Sequence, residues 1–203
     1  MSNQQSGRDW VWYGGRPSVD FVNTLRDRFS GGRELLQEPG DLTAWLTTAE
    51  RRGPADAGDP SVHFAVDAAL LTQALELREA IDAGLRAVVD HQPFPPEAAD
   101  VINGWLARAA GQPPVLDVRE GGPSLRHGSR LAGADGALSR IALDAAEILG
   151  GETRRRLKIC GGVRCSARFY DKSPACRRRW CSMAGCGNRA KAAQHRQRSD
   201  APN

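Results

Sequence analysis

Four cysteines, Cys160, Cys165, Cys181 and Cys186, form two C-x4-C pairs separated by 15 residues, in an arginine-crowded stretch late in the chain. Each pair is short enough to bring two thiolates to one cation, and the spacer lets the second pair complete the tetrahedron that zinc prefers. A closed four-sulfur site leaves no open position for chemistry, so one structural metal ion is expected to fold a small module. Cys176 complicates the assignment, because C-R-R-R-W-C makes a further C-x4-C with Cys181. Spacing leaves two quartets open and leans toward the one ending in Cys186. The stretch after Cys181 adds to that lean. Ser182 is a good N-cap for a helix running to Arg198, and treble-clef-like zinc modules take their last two ligands from around a helix start.

Other uses of these thiols fit less well. Disulfides need an oxidising compartment, yet Met1 to Val11 has no apolar h-region and no run of 18 apolar residues occurs. Five cysteines is also an odd number for pairing. Iron–sulfur motifs usually set their cysteines closer together. Zinc and a cytoplasmic location are the expectation, with no membrane partner.

Charge is divided along the chain. From Glu152 to Asn203 there are 14 Lys or Arg against 3 acids, a net +11, which leaves −7 before Glu152 and only +4 overall. Zinc with four thiolates carries −2, which cannot absorb the excess. The cations fall at Arg154 to Arg156 and Lys158, at Arg177, Arg178 and Arg179, and at Arg189, Lys191, Arg196 and Arg198 on the expected last helix. On that helix Arg189 and Arg196 share one side and Lys191, His195 and Arg198 nearly the other, so it can lie in a groove and meet phosphates on both strands. A solvated cationic face that docks an acidic protein, or one that binds RNA, accounts for the same charges. Trp180, Phe169 and Tyr170 read as the mini-core of the zinc module rather than as base-stacking platforms.

The run Trp180-Cys181-Ser182-Met183-Ala184-Gly185-Cys186-Gly187-Asn188-Arg189-Ala190-Lys191 closely resembles the signature of the CGNR zinc finger family. Leu157-Lys158-Ile159-Cys160, Phe169-Tyr170-Asp171-Lys172-Ser173 and Arg177 to Arg179 resemble the rest of that finger. Such fingers follow an N-terminal domain of the ABATE type, and Asp20-Phe21-Val22-Asn23-Thr24 is similar to its early D-F-V-N-T element. The resemblance implies a bacterial, stress-induced transcription regulator that binds double-stranded DNA. It also implies Cys160, Cys165, Cys181 and Cys186 as the zinc ligands, with Cys176 left over.

Gly150-Gly151 is a natural seam, giving a domain over 1–150 and a basic finger over 151–203. The first part reads as α+β and mostly helical. Leu70, Ala74, Leu77, Ile81, Leu85 and Val88 make an amphipathic stripe over Asp67 to Asp90, in which Gly84 costs about 1 kcal/mol unless close packing needs it. Further helices are expected from Ser18 to Phe29, from an Asp41 N-cap through Trp45, from Pro95-Pro96 through Leu106, and from Asp135 through Ile148. Val115 to Val118 and Leu125 to His127 suggest a β-hairpin, and Gly53 to Asp59 a surface loop. The part before the seam is read as one that senses an effector or forms a homodimer, and its acidic balance predicts that it adds no affinity for DNA.

No enzyme signature is found: no H-E-x-x-H, G-x-G-x-x-G, P-loop, G-x-S-x-G, or zinc-deaminase pattern. His63, His91, His127 and His195 are scattered and read as surface or helix-end residues. Asp20, Asn23 and Arg26, three residues apart on the expected first helix, project one way and are candidates to line a small-molecule pocket. Their plainer role is capping and internal hydrogen bonding. The reading is a non-enzymatic, zinc-dependent DNA-binding regulator whose DNA contacts are Arg177, Arg178, Arg179, Arg189, Lys191 and Arg196.

Overall fold

The computed structural model describes residues 10–52, 64–110, 115–119, 122–126 and 133–199. His63, His127 and the Gly53 to Asp59 loop lie outside these. The chain divides into two compact units. One joins Met1–Leu35 to Arg155–Asn203, and the other is Leu36–Arg154. One boundary between the units falls after Arg154, and another falls after Leu35. The first 35 residues, however, belong with the C-terminal module rather than with the helices that follow them in sequence.

Among the described residues the second unit has four helices, α2 (Pro39–Arg52), α3 (Ala68–Val89), α4 (Pro96–Ala110) and α5 (Gly133–Gly150), with a hairpin of β3 (Val115–Arg119) and β4 (Gly122–Arg126). The α3 stripe turns inward as its spacing requires. Ala74, Leu77, Ile81 and Leu85 are buried, with Trp45, Ile102, Trp105, Leu138 and Ile141 from the other helices. Asp67 caps α3, its carboxylate accepting from the Leu70 amide at 2.7 Å. Gly84 is explained by close approach: a Cβ there would stand 2.6 Å from the Phe94 ring. Asp41 does not begin α2 as an N-cap. The helix starts two residues earlier at Pro39, and the Asp41 carboxylate reaches back to the amides of Gln37 and Glu38 at 2.9 and 3.0 Å. Its first-turn Pro suits an N-terminus whose amides have no helical partner.

The first unit is built from short pieces. The helix expected from Ser18 to Phe29 stops at Val22. After α1 (Pro17–Val22) come β1 (Leu25–Arg26), a single 3₁₀ turn and β2 (Arg33–Glu34), paired antiparallel. Asp27 at φ 53°, Gly31 at φ 95° and Gly32 at φ 85° turn the chain back, conformations that end a helix and that glycine adopts cheaply. The finger supplies β5 (Leu157–Ile159), β6 (Arg168–Tyr170) and α6 (Asn188–Ser199), with β5 and β6 antiparallel. Phe169 and Leu157 are buried here, as are Val19, Phe21 and Val22 from α1, which packs on β6.

Candidate metal centre

Cys160 follows β5, and Cys165 closes a tight turn in which its amide donates to the Gly162 carbonyl at 3.0 Å. Cys186 lies in a single π-helical turn, Met183–Gly187, which is capped by Ser182 and leads into α6. The Ser182 hydroxyl accepts from the Gly185 amide at 3.3 Å. The sulfurs of Cys160, Cys165, Cys181 and Cys186 all lie within 4.8 Å of one another. Cys165 and Cys181 are 3.8 Å apart, as are Cys181 and Cys186. A tetrahedron with metal–sulfur bonds of about 2.3 Å has edges of about 3.8 Å, so the quartet fits one zinc ion. Cys176 is outside it. Its residue is held at φ 49° and its sulfur points to the Arg155 carbonyl at 3.9 Å.

Four thiols this close cannot all ionise without a cation. The half-exposed Cys165 is pushed down to about 5, first by its hydrogen bond from Cys181. Cys181 is pushed up by that bond and by burial, and Cys186 is pushed up chiefly by burial. A divalent ion at the centre removes the conflict, because it stabilises all four thiolates together. The surroundings already favour negative sulfur: the Cys181 amide approaches the Cys160 sulfur at 3.4 Å, and Arg189 donates to the Cys186 sulfur at 3.0 Å. Phe169 and Ala167 pack against the buried cysteines, with Tyr13 and Trp180 partly buried beside them.

A second anchor is Asp171, which has no exposed surface. Burial alone would raise its carboxyl. Ser173, Lys158 and the amide of Arg178 outweigh that and hold it well below the usual carboxylate range. Lys158 donates to it at 2.9 Å, the Arg178 amide at 2.8 Å, the Ser173 amide at 3.0 Å and the Ser173 hydroxyl at 2.6 Å. Lys158 also donates to the carbonyls of Cys176 and Arg178 at 2.6 and 3.2 Å. This hub fixes the arginine loop to the hairpin. The Asp-Lys-Ser run signals a local turn, but its ties to Lys158 and Arg178 depend on the fold.

Of Asp20, Asn23 and Arg26, the last two line one cavity and Asp20 is not on its wall, and the helix expected to align the three ends at Val22. The Asp20 carboxylate accepts from the Gly14 amide at 2.7 Å. Asn23 clasps β6. Its amide nitrogen donates to the Arg168 carbonyl and its oxygen accepts from the Arg168 amide, both at 2.9 Å. The Tyr170 amide donates to the Gly14 carbonyl at 2.7 Å, so the outer edge of β6 is covered by residues from the start of the chain. Arg26 lies on β1 and, with Asn23, lines a cavity beside the sulfurs.

The six arginines and lysines expected to meet DNA separate into two kinds. Arg178 works internally, donating to the Cys181 carbonyl at 2.6 Å with its guanidinium over the Phe169 ring at 5.2 Å. Arg189 is tied to Cys186, although its side chain is exposed. Arg177, Arg179, Lys191 and Arg196 are exposed. Arg179 stacks over Trp180 at 5.4 Å. His91 is exposed just past the end of α3.

Two family models match the chain. One, ABATE, described as a putative stress-induced transcription regulator, covers residues 15–152, and the CGNR zinc finger covers 156–199. No curated protein matches the chain. Among the described residues no helix is long and apolar enough to cross a membrane.

Proposed function

The chain belongs to the ABATE family and carries a CGNR zinc finger, and from that premise we propose that it is a zinc-dependent transcription regulator that binds duplex DNA through its metal-bearing unit. The observation that carries this reading is the distribution of charge between the two units. The unit containing the cysteines has 18 Lys or Arg against 6 Asp or Glu, a net +12, while Leu36–Arg154 has 10 against 18, a net −8. Counting by compact unit sharpens the asymmetry seen along the sequence. Four thiolates and a zinc ion take only two charges from the first figure. What remains suits a polyanion, whose condensed counterions are released on contact. The acidic helical unit is then the part that senses an effector or pairs with a second copy. No step of chemistry is assigned to either unit.

Selection of genomic fragments by the purified, zinc-loaded protein tests this. Enrichment of one duplex sequence over bulk DNA at physiological salt is expected. Binding to single-stranded RNA or to acidic polypeptide in preference to any duplex would overturn it.

A further inference from the structure

Cys165, Cys181 and Cys186 form part of the wall of a cavity of about 230 Å³. That is well above the roughly 10–15 Å³ that one water needs. Its wall brings together Arg26 from β1, Arg164 from the turn before Cys165, and Arg189 from α6, residues far apart in sequence. The acid on the wall, Asp27, is ion-paired with Arg33 at 3.4 Å. Zinc with four thiolates carries −2 against the three guanidiniums on the wall, of which Arg26 also has an interaction within the protein. Arg189 spends one of its five N–H groups on the Cys186 sulfur and is held in place by it. Arg164 is exposed and has no internal hydrogen bond or ion pair among the described residues.

The geometry points to this cavity as a socket for one phosphodiester group of a DNA backbone, gripped jointly by Arg26, Arg164 and Arg189. The assignment rests on the DNA-binding reading above and adds where the backbone is held. Planar guanidiniums match phosphate oxygens in a way few other side chains do. The aromatic on the wall, Tyr13, is partly buried against the cysteines, which leaves no platform for a stacked base. It follows that the first 35 residues contribute to affinity, although the charge of the chain before Gly150 predicts no such contribution. Arg26 comes to the site because its stretch folds with the finger.

The test uses the full-length, zinc-loaded protein, a fluorescent duplex pool and a series of salt concentrations. Arg26→Ala and Arg164→Ala should each weaken binding roughly tenfold, the loss of a charge-assisted bond. The double variant should lose little more than either one. Its plot of log affinity against log salt should be flatter by about 0.9, the value of one phosphate. A slope change near twice that would mean separate phosphates, and unchanged affinity and slope would mean no contact; either overturns the socket while leaving the DNA-binding reading intact. Absence of duplex binding by the unaltered protein would sink both. Zinc content equal to the parent, with partial rescue by Arg26→Lys, separates loss of contact from loss of fold.

Discussion

Replacing Asn23 by alanine is the sharpest probe of how the two ends of the chain depend on each other. Asn23 is 4% exposed, and its side chain makes two 2.9 Å bonds to the backbone of Arg168 in β6. Alanine leaves that amide and carbonyl in place, buried and without partners. Each unsatisfied group costs about 1–3 kcal/mol, and water entering the gap recovers part of it, so a loss of about 2–4 kcal/mol is expected. Asn23→Asp should be worse, because a carboxylate oxygen would then face the Arg168 carbonyl. The loss falls on the metal-bearing unit, since β6 carries Phe169 on one side of the cluster. Zinc release to a chromogenic chelator should therefore quicken in Asn23→Ala, and urea should unfold that unit earlier. Zinc retention and unfolding midpoint equal to the parent would refute the claim that the start of the chain clasps the finger.

Elemental analysis should find one zinc per chain. Cys186→Ser should abolish it while Cys176→Ser leaves it unchanged, because only the former removes a sulfur of the quartet. Asp171→Asn should cost about 2–4 kcal/mol by breaking the Lys158 pair and an amide bond. Because the folded carboxyl is held below its ordinary value of 3.8, its contribution is complete above that value and is lost only as pH falls below it. The difference between parent and variant should therefore be flat across neutral pH in calorimetry. A difference that grows with pH there would point to another group. Gly14→Ala should destabilise the same unit by about 1–3 kcal/mol, since a Cβ would lie 2.8 Å from the Asp20 amide nitrogen; an unchanged melting temperature would count against the tight crossing.

Local rules reached far in the helical unit and less far in the other. The α3 stripe, the Asp67 cap and the hairpin at Val115–Arg126 follow from period, capping and turn chemistry, each readable within a short window. The C-x4-C pairs are legible for the same reason, since such loops close locally, whereas spacing alone leaves both Cys176 and Cys186 open as the fourth ligand. The helix drawn from Ser18 to Phe29 failed because its end is set by a distant partner. Asn23 leaves the helix at Val22 and spends its amide on Arg168, 145 residues away. Nothing in the local pattern announces that. The same long-range contact lies within the unit that joins Met1–Leu35 to Arg155–Asn203.

The basic residues raise the same difficulty in another form. A count of cations cannot say which are available to a partner. Arg156 donates to the carbonyls of Asp171 and Ser173 at 2.9 and 3.0 Å, Lys158 holds Asp171, Arg178 closes the loop onto Cys181, and Arg189 serves a sulfur. These side chains satisfy carbonyls and sulfurs that a small module has few other ways to satisfy. Removal of Arg156, Lys158 or Arg178 would weaken DNA binding by damaging the fold and would wrongly suggest contact. Arg177, Arg179, Lys191 and Arg196, like Arg164, are exposed and outside that internal network, so their loss can report on a partner directly. An alanine variant at Arg178 is therefore expected to shed zinc faster than the parent, whereas one at Arg177 keeps its zinc and changes only the salt dependence of binding. Equal zinc retention in both would show that the internal bonds of Arg178 carry little of the fold.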